Sequence, residues 1–170
     1  EDMAGAYLVS GEEEYARRAR KPLKDWLRAT VDQLLGYGPS VNGALGISLS
    51  RHWRAAAINF DLVLSSSAFS QEERLQGLRR LAFLCEVGCG DDAWPPTGKG
   101  IRRGNPNFHP DVVSARGIAA AMLGGHPRQR MWIDAAVDEM RRFLREYHFD
   151  SGCSAESATY QLVSLAYALQ

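Results

Sequence analysis

The chain has 170 residues, of which 45% are apolar and 24% are charged, and its 20 basic residues balance its 20 acidic ones. A chain of this size buries roughly 70% of its unfolded surface. We therefore expect one domain with its own hydrophobic core, which needs no disulfide or metal cross-links to be stable. This composition excludes a disordered chain, and the balanced charge gives no indication of a nucleic-acid partner.

Signals for a membrane or an export route are not found in the sequence. No apolar run approaches the roughly 18 residues of a membrane span, so no membrane association is predicted. The amino end shows no basic stretch followed by a short apolar core, so no signal peptide is indicated. These signals therefore do not indicate a particular cellular compartment.

The cysteines are odd in number and poorly spaced for a metal. Cys85 and Cys89 are separated by three residues, and Cys153 is far from both. A tetrahedral metal site would need a second close pair of ligands. We therefore predict structural or free thiols, with neither a metal nor a cofactor.

Helical periodicity runs along most of the chain, and no stretch alternates apolar and polar residues in the manner of a strand. The fold class predicted is therefore all α. Ser10-Gly11-Glu12-Glu13 predicts a capping box that opens a long helix, ended by Gly36-Tyr37-Gly38-Pro39. A helix from about residue 50 to 65 follows. A second capping box, Ser70-Gln71-Glu72-Glu73, opens a helix closed by Gly88.

The stretch 88–109 is rich in Gly, Pro, Asp and Asn, and a loop of this length in a compact domain is usually functional. Helices are expected to resume at Pro110 and Pro127, each proline in a first turn, with Gly124 and Gly125 between them. A last helix is expected from about Ser154.

The links between these helices are short, which predicts antiparallel neighbours stacked as helical hairpins that close into a ring or a bundle. Both ends of the chain, 4–8 and 165–170, are apolar helical runs with no cap on the outer side. Residues 1–170 are therefore expected to form a single helical domain that is a segment of a longer one.

Four patches of the sequence carry a family resemblance. They are the corner at 6–16, the run 57–63 followed by 69–74, the stretch 104–111, and the stretch 150–160 that ends on Tyr160. In order and spacing these patches resemble the heparinase II/III-like polysaccharide lyases, a family that includes alginate and heparan sulfate lyases and joins an (α/α) toroid to a β-sandwich. The resemblance covers nearly the whole chain.

The resemblance implies an incomplete (α/α) toroid built of antiparallel hairpins, acting on an acidic, uronic-acid-containing polysaccharide by β-elimination. It also implies a β-sandwich domain and further helices in the parent protein, and a periplasmic or secreted location. Such a lyase must neutralise a carboxylate, remove the proton next to it, and protonate the leaving oxygen.

Asn105 is the expected carboxylate neutraliser and Tyr160 the expected proton donor, able also to act as base. Pro106 stands where many members of the family have a histidine, so the base is left unassigned. His109 and His52 are the two histidine candidates for that role.

Five further residues are expected to bind substrate. Arg102 and Arg103 give the loop a positive charge that attracts a polyanion. Trp94 can stack on a sugar ring, and on a helix Glu156 lies one turn before Tyr160, on the same face. The full set is Asn107, Trp94, Arg102, Arg103 and Glu156.

Other readings of these residues stay open. Asn105 and Asn107 are also ordinary turn residues, His109 suits a position near a helix cap, and Trp94 can simply anchor its loop. The alternative to a lyase is a non-catalytic helical scaffold or a glycan-binding fragment. A glycoside hydrolase that pairs Glu156 with Asp111 is a third possibility. The remaining tryptophans, Trp26, Trp53 and Trp132, are predicted to be core residues, and His126 and His148 to be structural.

Overall fold

The structure is a computed structural model that describes the backbone of residues 2–37, 43–88, 108–147 and 166, and the side chains of 2–32, 51–87, 109–146 and 166. Every regular element in these segments is helical, which confirms the all-α fold class. Closure of the helices into a ring stays a prediction. In chain order the elements are α1 (Met3–Ser10), α2 (Glu13–Tyr37), α3 (Gly43–Val63), α4 (Gln71–Phe83) with a π-helical turn (Leu84–Gly88), α5 (Phe108–Ala121) and α6 (Gln129–Tyr147).

Helix α5 lies between α3 and α6, and α2 packs against α1, α3 and α4. The buried apolar side chains of these helices form one continuous cluster. Each large side chain that is fully buried contributes about 1.5 to 3 kcal/mol relative to an exposed position. The largest of them are Trp132, Phe60, Leu27, Leu81 and Leu84. None of the described helices is long and apolar enough to span a bilayer.

Helix α1 has caps at both of its ends. At the amino end, the Asp2 carboxylate accepts a hydrogen bond of 2.8 Å from the Gly5 N–H. At the carboxyl end, Gly11 adopts a φ of 72°, and its N–H donates to the Tyr7 carbonyl at 2.8 Å. A positive φ suits glycine because it has no Cβ to clash with the backbone. The expectation of an uncapped first helix was therefore wrong.

The capping box predicted at Ser10 was also wrong, although α2 does begin at Glu13. Ser10 is the last residue of α1, and its Oγ accepts a hydrogen bond from the Glu12 N–H at 3.1 Å. The Glu13 carboxylate accepts instead from the Ser67 N–H at 3.2 Å, in the link between α3 and α4. This tertiary contact replaces the local one that the sequence pattern favoured.

The second predicted capping box, at the start of α4, is confirmed. The Ser70 hydroxyl accepts from the Glu73 N–H at 3.2 Å, and the Glu73 carboxylate accepts from the Ser70 N–H at 3.0 Å. The same carboxylate binds Arg20 and Lys24 of α2. Glu73 therefore caps α4 and also joins it to α2.

The contacts of Glu73 predict a loss of stability in acid. Hydrogen bonds from Arg20, Lys24 and the Ser70 N–H lower the pKa of Glu73 from 4.5 to about 2. Because the folded-state pKa is the lower one, its contribution is complete above pH 4.5 and is lost as the pH falls from 4.5 to about 2. Urea unfolding of Glu73→Gln should therefore show a weaker pH dependence than the parent across this window.

Glu72 provides the matched control for this experiment. It lies one residue earlier in the same helical turn, and its carboxylate accepts a hydrogen bond from the Gln76 side chain. Glu72→Gln should keep the pH dependence of the parent. If Glu73→Gln and Glu72→Gln behave alike, the ionic link between α2 and α4 does not contribute as described.

Three further predictions about helix boundaries and core residues were wrong. Helix α3 begins at Gly43, not near residue 50. Pro110 lies in the first turn of α5 as predicted, whereas Pro127 precedes the first residue of α6 by two positions. Trp53 and Trp132 are buried as predicted, but Trp26 is 47% exposed. The helix predicted from Ser154 lies outside the described residues, apart from Ala166, which is helical.

Candidate functional site

Two of the nine predicted site residues, His52 and His109, lie in the described part of the chain. The proximity of Asn105 to Tyr160 therefore stays a prediction. The seven that lie outside the described residues are Asn105, Asn107, Trp94, Arg102, Arg103, Glu156 and Tyr160.

The first turn of α5 carries a charged cluster that follows Asn105 closely in the chain. Arg51 Nε donates to Asp111 Oδ2 at 3.2 Å, and Arg51 Nη2 lies 3.0 Å from the same oxygen. Arg54 Nη1 lies 3.5 Å from Asp111 Oδ1 and donates to Ser114 Oγ at 3.3 Å. The two arginines are one helical turn apart on α3, so both reach α5. We call Arg51, Arg54, Asp111 and Ser114 the α5 cluster.

The carboxylate of the α5 cluster is buried, whereas one of its two arginines is partly exposed. The Asp111 side chain is 0% exposed, that of Arg54 is 11% exposed and that of Arg51 is 45% exposed. Burial raises the pKa of Asp111 above its ordinary value, and the arginines act in the opposite direction. Two cations therefore bind one buried carboxylate. The amino end of α5, where Asp111 lies, carries a partial positive charge.

His109 lies on α5 but faces α6 instead of α3. Its ring stacks on Phe143 with centroids 5.8 Å apart, and its Nε2 lies 3.9 Å from Glu139 Oε2. That distance is too long for a hydrogen bond but permits an ion pair with a protonated ring. The residue is 3% exposed, so in the structure it packs between α5 and α6. Its role as a base stays a prediction.

His52 occupies the middle of α3, not the start of a helix as the sequence suggested. Its ring is exposed and stacks on Trp26 of α2, with centroids 6.4 Å apart and planes 27° apart. The two candidate bases therefore lie against different helices, α2 for His52 and α6 for His109. Of the two, His52 is the one that solvent reaches.

Sequence reasoning missed the α5 cluster, although a partial signal exists. Asp111 stands between Pro110 and Val112 in the first turn of a helix, which is an apolar setting for a carboxylate. A buried charge requires a partner, so a cation on a facing helix was to be expected. The sequence alone cannot identify that partner, because Arg51 and Arg54 lie 60 and 57 residues away.

A second polar cluster lies where the π-helical turn meets α6. Trp132 Nε1–H donates to Glu86 Oε2 at 2.8 Å, and Arg128 binds the other oxygen of the same carboxylate. The His126 ring stacks on Trp132 with centroids 4.7 Å apart. These contacts fix the start of α6, which is consistent with the structural role expected for His126.

The described residues show no metal site and no reactive thiol. No group of three or more His, Cys, Asp or Glu side chains converges within 2–32, 51–87 and 109–146. Cys85 is a buried free cysteine, and burial raises the pKa of its thiol to about 12. A thiol with so high a pKa stays protonated near neutral pH and is a poor nucleophile. Cys89 and Cys153 lie outside the described residues.

Comparison with family models, with curated proteins and with solved structures found no match to this chain. The resemblance to the heparinase II/III-like lyases therefore rests on the four sequence patches. Any function has to be argued from those patches and from the contacts of the described residues.

Proposed function

We propose that this chain is part of the helical catalytic domain of a polysaccharide lyase, which cleaves an acidic, uronic-acid-containing glycan by β-elimination. In this proposal the helical hairpins belong to an incomplete (α/α) toroid. A β-sandwich and further helices complete the parent protein. The four sequence patches and the two arginines of the α5 cluster support the proposal.

The observation that carries the proposal is the pair of α3 arginines held by Asp111 directly after the Asn105 stretch. Asn105 precedes the first residue of α5 by three positions, and Asp111 follows that residue by three. The Arg51 side chain is 45% exposed while it binds Asp111, and helix amino ends favour anions. In this proposal a uronate carboxylate bound by Asn105 approaches these groups.

The reaction requires three events that the proposed residues divide between them. The proton on the carbon next to the carboxylate is removed, its electron pair forms a carbon–carbon double bond, and the bond to the leaving oxygen breaks. The Asn105 amide donates to the carboxylate and stabilises the enolate-like charge. Tyr160 donates a proton to the leaving oxygen.

A tyrosine that also acts as base needs help from cations. Its ordinary pKa is about 10, so ionisation near neutral pH requires a shift of about 3 units, or about 4 kcal/mol. In the proposal Arg102 and Arg103 supply this help. His52, which is exposed to solvent, is the alternative base.

The buried position of Asp111 does not support the hydrolase alternative. A glycosidase needs two carboxyl groups that flank the bond to be cleaved. The Asp111 side chain is 0% exposed and is bound by two arginines, so no sugar can reach it in this arrangement. A hydrolase would therefore need a partner for Glu156 other than Asp111.

The proposal is tested by incubating the protein with alginate, heparan sulfate and hyaluronan. Elimination produces an unsaturated uronate that absorbs in the near ultraviolet, and hydrolysis produces reducing ends without that absorbance. We expect the absorbance to rise with at least one of the three substrates. Reducing ends without absorbance, or no product from any substrate, would reject the lyase proposal and favour a hydrolase or a scaffold, respectively.

Replacing Tyr160 with phenylalanine should lower the rate of elimination by about 100-fold or more, because the hydroxyl that transfers protons is lost. The rate of absorbance increase measures this effect, and circular dichroism checks that helicity is unchanged. Tyr15→Phe, which removes a hydroxyl from the half-buried Tyr15 of α2, is the matched control. Full activity in Tyr160→Phe would exclude Tyr160 as the proton donor.

A further inference from the structure

The Trp26 side chain is 47% exposed although it lies beside the buried face of α2. Its neighbours Leu23 and Leu27 are both buried. Burial of a tryptophan side chain stabilises a protein more than burial of most other side chains. At 47% exposure, about half of this stabilising free energy is missing. A single exposed apolar side chain is common, and what matters is the cavity next to it.

Trp26 forms one wall of a cavity of about 270 Å³ between α1, α2 and α3. This volume is just below the ~300 Å³ at which ligand pockets of proteins usually begin, which suits one small ring better than a larger ligand. The cavity combines apolar side chains with three polar ones. The polar ones are Asp2, Arg18 and Asn59.

Each of these polar side chains is fixed by the protein through one of its atoms. Asn59 Nδ2 donates to the Ala55 carbonyl at 2.8 Å, which leaves its amide oxygen as an acceptor. Arg18 donates through Nε to Glu14 at 3.1 Å, and its guanidinium has four further N–H groups. Asp2 uses Oδ1 to cap α1 and has a second carboxylate oxygen. The cavity therefore has oriented donors and acceptors.

Beside the cavity, Trp26 also contacts an aromatic ring of α3. It stacks on His52, with ring centroids 6.4 Å apart. Both side chains are exposed. A ligand longer than one ring would thus pass from the indole to an exposed imidazole.

We infer that this cavity is a saccharide subsite, in which one pyranose ring of a glycan packs on the indole of Trp26. A pyranose has an apolar C–H face that packs against an aromatic plane. Around its edge it has hydroxyl groups that both donate and accept hydrogen bonds. The cavity offers the aromatic plane of Trp26, the donors of Arg18 and the acceptors of Asp2 and Asn59, which is the combination that such a ring requires.

A second groove, between α3 and α5, differs from the Trp26 cavity in its lining. Its lining is apolar apart from Asp61, with Ile58, Leu62, Ile118 and Met122 among its residues. It has no aromatic plane and a single polar side chain, so it lacks what a sugar ring needs. Of these two cavities, the one at Trp26 is therefore the one that fits a saccharide.

The inference rests on the proposed function only for the acidic character of the glycan. Binding at Trp26 requires no elimination chemistry, so the two can fail separately. The probes are tetrasaccharides of alginate and of hyaluronan, with cellotetraose as a neutral comparison. Calorimetry measures affinity, and intrinsic tryptophan fluorescence reports on the indole.

Trp26→Ala should weaken the binding of the acidic tetrasaccharides by about tenfold or more, because the contact with the indole face is lost. Trp26→Phe, which keeps an aromatic plane, should recover part of the affinity. Met131→Ala is the matched control, since it removes an exposed apolar side chain from α6, away from the cavity. Circular dichroism and thermal unfolding of each variant should match those of the parent.

Unchanged affinity in Trp26→Ala, or no binding of any tetrasaccharide to the parent, would overturn the subsite. Binding that depends on Trp26 in a protein with no elimination activity would support the subsite and count against the lyase. Elimination with an unchanged KM in Trp26→Ala would keep the lyase and reject the subsite.

Discussion

Asp111→Ala is expected to destabilise the protein by about 3 to 5 kcal/mol, the range measured when one partner of a buried ion pair is removed. The carboxylate is 0% exposed and is shared by two arginines of α3. Without it, two guanidinium groups at the contact between α3 and α5 lose the carboxylate that they share. Arg54, whose side chain is 11% exposed, cannot regain full hydration there.

The raised pKa of Asp111 does not contradict this expectation. Burial opposes ionisation of this carboxylate, and buried ion pairs in general add little net stability. Removing half of it is costly because the cations stay in place. Urea unfolding measures the difference, and Asp111→Asn should fall between the parent and Asp111→Ala.

Asp138→Ala is the control for an exposed pair. Asp138 lies 3.5 Å from Arg141 on α6, and both side chains are largely exposed. Such pairs contribute about 0 to 1 kcal/mol, so this variant should unfold almost as the parent does. Equal losses in Asp111→Ala and Asp138→Ala would show that the α5 cluster is not a buried electrostatic contact.

Gly77→Ala is the second large effect, with an expected destabilisation of about 1 to 3 kcal/mol from overpacking. A Cβ placed on Gly77 of α4 would overlap the Phe60 ring. Phe60 is fully buried and packs edge-on against Phe69, so its ring has little room to move. In an open helix the same substitution would be stabilising by about 1 kcal/mol. The sign of the change therefore tests the contact.

Two further variants isolate the steric cause. Gly124→Ala adds the same methyl group where nothing lies within 4 Å, so it should be nearly neutral. Gly77→Ala combined with Phe60→Leu should lose less stability than the sum of the two single changes, because the smaller side chain makes room. Additive losses in urea unfolding, or a more stable Gly77→Ala, would argue against the close packing of α4 on α3.

Local sequence rules predicted helix positions well and tertiary contacts poorly. Ser10 and Ser70 begin the same Ser-x-x-Glu pattern, yet the box forms at Ser70 and not at Ser10. At the first site the Glu13 carboxylate is drawn away by the Ser67 N–H, 54 residues along the chain. No local pattern contains that competitor.

The prediction of buried residues from local sequence has the same limit. Periodicity placed Trp53 in the core, and the structure confirms it. Trp26 also lies near an apolar stripe, but at its edge, where the position of neighbouring helices decides exposure. The α5 cluster is even harder to predict from sequence, since Asp111 and Arg51 are paired only after α3 and α5 meet. The pairing of Asn105 with Tyr160 is equally long-range and stays a prediction.

The π-helical turn after α4 shows how one inserted residue can serve a contact between helices. A π-turn is one residue inserted into an α-helix, and such an insertion changes the direction of the side chains that follow it. Here the π-helical turn spans Leu84–Gly88, directly after α4. One of its residues is Glu86, whose carboxylate binds Trp132 and Arg128 at the start of α6. The insertion thus lies where a carboxylate joins α4 to the start of α6.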